Sequence, residues 1–343
     1  MMSKQDILKK IMISCVTLLL LTGLLFLVFR NNLDAIADMF MTVSISNILW
    51  LCSLGVSYQL LDSLTCWLLL RTVVPTLPYH QALNVIYLGV FGKISTFSTG
   101  TLPLQAYYLY HCGIEAGRSI GIMTFNYTLH KVTVILYATV LLLFEGTWFY
   151  SALPDLRGYL IAGYIICLTV ISALILLCTS HRAHDFAILA LDKLPNNEKW
   201  NDKKRKVQRQ LDCLFDETST FMKNKRIAFQ VISVHTLKLV ILCMLPYLCL
   251  KILGVNSLSL LQVEMLSILM FLIASAAPNV AGMGPTEAVF FLMYSPLLGS
   301  TLTSSSLFMY RIATYYFPFI ISIFIFLIVQ TKLLASSNSK EVH

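Results

Sequence analysis

The chain has 343 residues, 57% of them apolar and 12% charged, with a mean hydropathy of +0.75. A water-soluble globule of this length cannot hide that much apolar surface, so lipid must be its solvent. The net charge of +8 lies mostly beside hydrophobic runs, where orientation in a membrane accounts for it and no nucleic-acid partner is expected.

The first apolar run, 11–29, follows Lys4, Lys9 and Lys10. It is too long for the core of a signal peptide and reads as an uncleaved anchor with a cytoplasmic N-terminus. A second run covers 46–70, with Asp62 near its end, either interfacial or paired. Region 80–112 is apolar but broken by Gly and Pro. It holds Lys93 just before the polar group Ser95, Thr96, Ser98 and Thr99, which could bind a headgroup or satisfy backbone at a helix end. The run 119–144 begins after Arg118 and carries His130 and Lys131, the latter about 20 Å into the crossing and too deep to snorkel. A run at 158–178 leads to the segment 181–226, whose cluster Lys203-Lys204-Arg205-Lys206 and flanking basic residues place it in the cytoplasm. Val207, Leu211, Leu214, Phe215 and Met222 recur there at helical spacing, as in an amphipathic helix on an anionic leaflet or a solvated linker helix. The run 227–250 carries His235 and Lys238. A second broken region occupies 259–300, and the final run, 304–331, contains Arg311. From Lys332 to His343 a short polar tail is expected.

Six full crossings in an all-α fold result. By the same count the two broken regions enter from opposite faces of the bilayer. They share a motif at a constant offset of 182: Gly100-Thr101-Leu102-Pro103-Leu104-Gln105-Ala106 matches Gly282-Met283-Gly284-Pro285-Thr286-Glu287-Ala288, and both read GxxPx[QE]A. Each copy is followed by an aromatic-rich helix and then by a crossing with a basic residue. This is the layout of an inverted repeat, 46–144 against 227–331. Glycine permits a tight reversal, and proline suits the first turn of the helix after it. Such backbone is tolerated at depth only where it is buried in protein or lines a wet cavity, and its dipole favours an anionic group such as a lipid phosphate.

Ionisable groups in crossings face a cavity or a partner. Glu287 and Arg311 are close enough in the chain to form a pair, and with Lys131 they are the candidates for a substrate or gating role, weighed against a purely structural ion pair. The nine cysteines include no CxxC pair and read as small buried hydrophobes. No Walker A loop, HExxH, GxSxG or metal-spaced Cys/His set occurs, so no catalytic residue, metal or cofactor is expected.

The stretch from Phe97 to Leu109, followed by Cys112-Gly113-Ile114, resembles the first signature of the lysylphosphatidylglycerol synthase transmembrane (flippase-like) family. Pro278 to Ala288 and Tyr310-Arg311-Ile312-Ala313-Thr314-Tyr315-Tyr316 resemble its Pro-x-x-Gly-x-x-Glu and Arg-x-x-x-Tyr-Tyr patterns. In bifunctional relatives this membrane part precedes a cytosolic domain that transfers lysine from charged tRNA to phosphatidylglycerol, whereas this sequence stops at His343. The resemblance therefore implies the lipid-translocating half, moving an aminoacylated phospholipid or a glycolipid between leaflets of a bacterial cytoplasmic membrane, with both termini cytoplasmic. A family label of phosphatidylglycerol lysyltransferase, or a membrane subunit working with a separately encoded transferase in resistance to cationic antimicrobial peptides, is the alternative. On this reading Glu287, Arg311, Lys131, Gln105 and Lys93 handle the headgroup, and Tyr107, Tyr108, Tyr315 and Tyr316 wall the glycerol region. Gly100, Pro103, Gly282, Gly284 and Pro285 shape the turns. The expected partners are membrane lipids, including anionic inner-leaflet phospholipid, with a homo-oligomer open.

Overall fold

The computed structural model describes residues 43–96, 98–192, 224–275 and 283–341, with scattered positions between 204 and 221. The first apolar run, 11–29, and most of the basic 181–226 segment lie outside the described residues, as do Leu214, Met222 and Gly282.

All regular structure among the described residues is helical: α1 (Ile45–Leu70), α2 (Tyr79–Ser95), α3 (Thr101–His111), α4 (Ala116–Ala152), a short 3-10 turn (Pro154–Leu156), α5 (Arg157–Thr179), α6 (His181–Asp192), α7 (Lys225–Ile252), α8 (Leu260–Ala274), α9 (Pro285–Leu298), α10 (Ser300–Arg311), a π turn (Ile312–Tyr316) and α11 (Phe317–Glu341). The long apolar runs become long helices because, in lipid, the helix satisfies every backbone group within one segment. Their starts carry side-chain caps. Ser44 accepts from the Ser46 amide at 3.3 Å before α1, and Asn224 accepts from the Ile227 amide at 3.2 Å before α7. Ser259 and Gln262 exchange bonds of 3.2 and 2.9 Å at the start of α8.

Among the described residues three helices are long and apolar enough to cross a membrane: Ala116–Ala152, Lys225–Ile252 and Ser300–Leu333. The first has 37 residues, about 55 Å of helix, so it reaches well beyond a hydrocarbon core about 30 Å thick. The last runs through the π turn as one rod and continues to Glu341, so the expected polar tail is helical for most of its length. The regions broken by Gly and Pro are pairs of short helices, α2 with α3 and α8 with α9, of 17, 11, 15 and 14 residues. Each is shorter than the roughly 20 residues that a crossing needs.

The centre of the molecule is α1 packed along α7. Around them α2 lies on α1 and α11, α8 lies on α7 and α4, and α5 lies on α4 and α8. Gly55 lets α1 touch the backbone of the π turn, since a Cβ there would stand 1.9 Å from the Ala313 carbonyl oxygen. Phe91 of α2 stacks on Phe326 of α11 with ring centroids 4.1 Å apart. The outer faces are strongly apolar: Leu143 is 81% exposed, Phe144 72% and Phe324 62%. Such patches are incompatible with water and suit acyl chains.

Candidate functional site: a buried ion pair and a cationic rim

The two broken regions turn by different means. Before α9 the backbone reverses at Gly284, with φ at +99°, and Pro285 takes the first helical position. Both choices follow the expected division of labour, since glycine reaches the left-handed region freely and proline has no amide hydrogen to leave unpaired. Before α3, however, Gly100 has an ordinary φ of −90°, and the positive angle falls on Ser98 at +75°. Gly100 is needed there for proximity. A Cβ on Gly92 would lie 2.6 Å from the Gly100 carbonyl oxygen, and one on Gly100 would lie 2.5 Å from Thr96 Oγ1. The Gly100 amide donates to that same hydroxyl at 2.5 Å, and the hydroxyl donates to the Gly92 carbonyl at 2.7 Å. Pro103 is the third residue of α3, still within the first turn, where amide hydrogens lack intrahelical partners.

Glu287 performs two tasks at the start of α9. One carboxylate oxygen, Oε2, accepts from the Gly284 amide at 2.6 Å and so closes the turn, while Oε1 faces Arg311 Nη2 of α10 at 2.5 Å. Both side chains are buried, at 8% and 7% exposure. The guanidinium also lies over the Tyr315 ring, 5.6 Å from its centroid, and Tyr316 meets Tyr315 edge-on at 5.4 Å. Arg311 is the last residue before the π turn, a wide turn that inserts one residue and often marks functional positions in helices. Arg311 Nε is buried without a hydrogen-bond partner among the described residues.

Lys93, near the end of α2, is within electrostatic reach of Arg311, Lys131 and Glu287, yet its side chain is exposed. Lys131 of α4 donates to Ser275 Oγ at 2.6 Å, where α8 ends, and sits 5.3 Å from the centre of the Tyr127 ring. The structure thus brings Glu287, Arg311, Tyr315 and Tyr316 together, with Lys93 within electrostatic reach of Arg311, while the direct contacts of Lys131 are with Ser275 and Tyr127. Gln105, Tyr107 and Tyr108 make their recorded contacts elsewhere. Gln105 donates to the Val85 carbonyl at 3.3 Å, and Tyr108 accepts from Asn84 at 2.9 Å, both tying α3 to α2. Tyr107 is exposed and packs against His111.

A second polar group lies where α1, α4 and α7 meet. Lys238 of α7 is ion-paired with Asp62 of α1 and lies 5.6 Å from the centre of the Tyr58 ring. One turn earlier, His235 is fully buried with Nε2 3.2 Å from Asn126 Oδ1, and its ring is 5.8 Å from that of His130. Tyr137 of α4 donates to the buried carboxylate Glu264 of α8. Asn126, Tyr137 and Glu264 escaped the sequence reading, although a glutamate inside the 259–300 region was a signal available there.

No His/Cys/Asp/Glu group among the described residues could hold a metal. A scan against protein families matches residues 11–322 to the lysylphosphatidylglycerol synthase TM region. The chain belongs to that family. A comparison with curated proteins returned no match. Membership in the lysylphosphatidylglycerol synthase TM-region family, together with the apolar helices, makes this a multi-pass membrane protein with a role in lysylphosphatidylglycerol synthesis or translocation.

Proposed function

We propose that the chain translocates a polar lipid between leaflets of the bacterial cytoplasmic membrane, with Glu287, Arg311, Lys93 and Lys131 handling the headgroup. The observation that carries this reading is the Glu287–Arg311 pair, buried at the start of a short helix with the exposed Lys93 within electrostatic reach. Ionisable groups in crossings are expensive to bury and mark functional positions, and among the described residues Arg311 Nε has no hydrogen-bond partner.

Two features support an inverted repeat. Shifted by the 182-residue offset of the shared motif, the end of α1 at Leu70 falls on the end of α7 at Ile252. The second helix of each half also packs on the final helix of the other, α2 on α11 and α8 on α4. In transporters built this way the substrate site lies at the repeat interface, and access alternates by rocking one half against the other. The halves 46–144 and 227–331 would move in this manner, and Tyr315 and Tyr316 would flank the glycerol region.

The test is translocation by the purified chain in liposomes, using acyl-labelled fluorescent lipids and a membrane-impermeant quencher, with Glu287→Gln and Arg311→Gln alongside. Glu287→Gln retains a side-chain oxygen for the Gly284 amide but removes the charge facing Arg311. Loss of movement in both variants, with elution profiles unchanged, is expected. Undiminished movement in both would refute the assignment. The family description favours one second reading, a membrane subunit of lysylphosphatidylglycerol synthesis, and co-purification with a transferase would support it.

A further inference from the structure

The headgroup site leaves unused the polar group where α1, α4 and α7 meet. Each of these helices supplies two of its side chains from positions one turn apart, and so from a single face: Tyr58 and Asp62 of α1, Asn126 and His130 of α4, His235 and Lys238 of α7. Counted from Ala116 and Lys225, His130 and Lys238 both lie about 20 Å along their helices, well inside the two crossings. Asp62 and Lys238 satisfy each other as an ion pair, with the Tyr58 ring beside the ammonium. The imidazoles are not so matched. His235 is fully buried, and its Nε2 donates to Asn126 Oδ1 at 3.2 Å, which leaves Nδ1 as the ring's lone-pair acceptor. That nitrogen is buried without a hydrogen-bond partner among the described residues, and so is Nδ1 of His130, whose ring centre is 5.8 Å from that of His235.

Resting on the translocation reading, we propose that this cluster is a proton-binding site that couples lipid movement to a transmembrane pH gradient, with proton occupancy and the Asp62–Lys238 bridge as alternatives. The proton is taken up by an Nδ1 lone pair and given back unchanged, so no covalent bond between heavier atoms forms or breaks. While the bridge is closed, a protonated ring would bury a second positive charge beside Lys238 with no anion to match it, so both rings are neutral. Once it opens, the Asp62 carboxylate is released to face an imidazolium. The other titratable groups within electrostatic reach among the described residues are Lys131 of α4, Cys66 of α1, Cys243 of α7 and Tyr310 of α10, none of them a carboxylate, and Glu264 of α8 is held by Tyr137. The bridge joins α1 of the 46–144 half to α7 of the 227–331 half, so exchanging it for a proton alters the joint about which the halves rock.

The experiment uses the full purified chain in phosphatidylcholine liposomes carrying acyl-fluorescent lysyl-phosphatidylglycerol or phosphatidylglycerol, with the membrane potential clamped and the pH either equal on both sides or about one unit apart. The phosphodiester of phosphatidylglycerol does not titrate near neutrality, so its distribution reports the protein and not a change in the lipid's own charge. With one proton moved per lipid, a one-unit gradient should skew the final leaflet distribution about tenfold, and a protonophore should abolish the skew. His130→Gln and His235→Gln keep hydrogen-bonding capacity but cannot take up the proton. Each is expected to lose the skew while still exchanging lipid between leaflets. His130 is only partly buried, so its variant decides the matter if His235→Gln misfolds. Even leaflets in the wild type at unequal pH overturn the coupling while leaving translocation standing. A skew that persists in a folded His130→Gln variant, or a complete loss of exchange by that folded variant, also overturns it. Movement of neither lipid by monodisperse wild-type protein removes the translocation reading itself, and the coupling with it.

Discussion

The contact between Asp62 and Lys238 joins the two central helices, and its removal gives a sharp test of how dry that interface is. Lys238 is 2% exposed and Asp62 22% exposed. Removing one partner of a buried pair typically costs about 3–5 kcal/mol, because the other charge is left uncompensated. Asp62→Asn would strand the more deeply buried ammonium. The Tyr58 ring at 5.6 Å is a contact that Lys238 already makes in the intact pair and so offsets none of that cost, leaving an expected loss of about 3–5 kcal/mol. Lys238→Met leaves the better solvated carboxylate, so a smaller loss of about 1–3 kcal/mol is expected. The double variant removes both charges and should be more stable than either single variant, with a coupling on the order of 3 kcal/mol. Unfolding of the four proteins in mixed micelles titrated with dodecyl sulfate would provide the cycle. A coupling below about 0.5 kcal/mol, the size of an exposed pair, would refute a desolvated bridge between α1 and α7.

Gly92→Ala places a methyl group 2.6 Å from the Gly100 carbonyl oxygen, a backbone atom with little room to retreat. Overpacking of this kind costs about 1–3 kcal/mol, so the thermal midpoint in detergent should fall clearly, whereas Gly158→Ala, with nothing within 4 Å of its added Cβ, should leave it unchanged or slightly raised. Tyr137→Phe removes the donor to Glu264, which is 5% exposed. A loss of about 1–3 kcal/mol is expected from the buried acceptor left behind, and Glu264→Gln should not add to it in full if the two side chains act as a pair.

The sequence revealed the helices wherever an apolar run was long. The 46–70 and 227–250 runs became α1 and α7 to within a few residues, because lipid leaves the backbone no other economical choice. It also exposed Glu287 and Arg311, since a charge within a crossing stands out against its neighbours. The partner of Lys238 was another matter. Asp62 lies 176 positions away, and the register of two helices that meet across the fold leaves no local trace in either. Glu264 and Tyr137, 127 positions apart, were hidden for the same reason. At Gly100 the residue type was informative but its cause was not, because the need for contact with Gly92 arises only once α2 and α3 have folded against each other.

The π turn after Arg311 has a consequence for what the chain can lose. An extra residue in one turn rotates everything downstream by about 100°. Phe319 and Phe326 of α11, both of which stack on Phe91, therefore owe their aim to the wide turn at 312–316. Shortening that turn by a single residue would restore a regular helix yet swing both rings away from α2. Arg311 and the aromatic clasp on α2 are thus coupled through phase: the length of this stretch is constrained more tightly than the identity of several side chains within it.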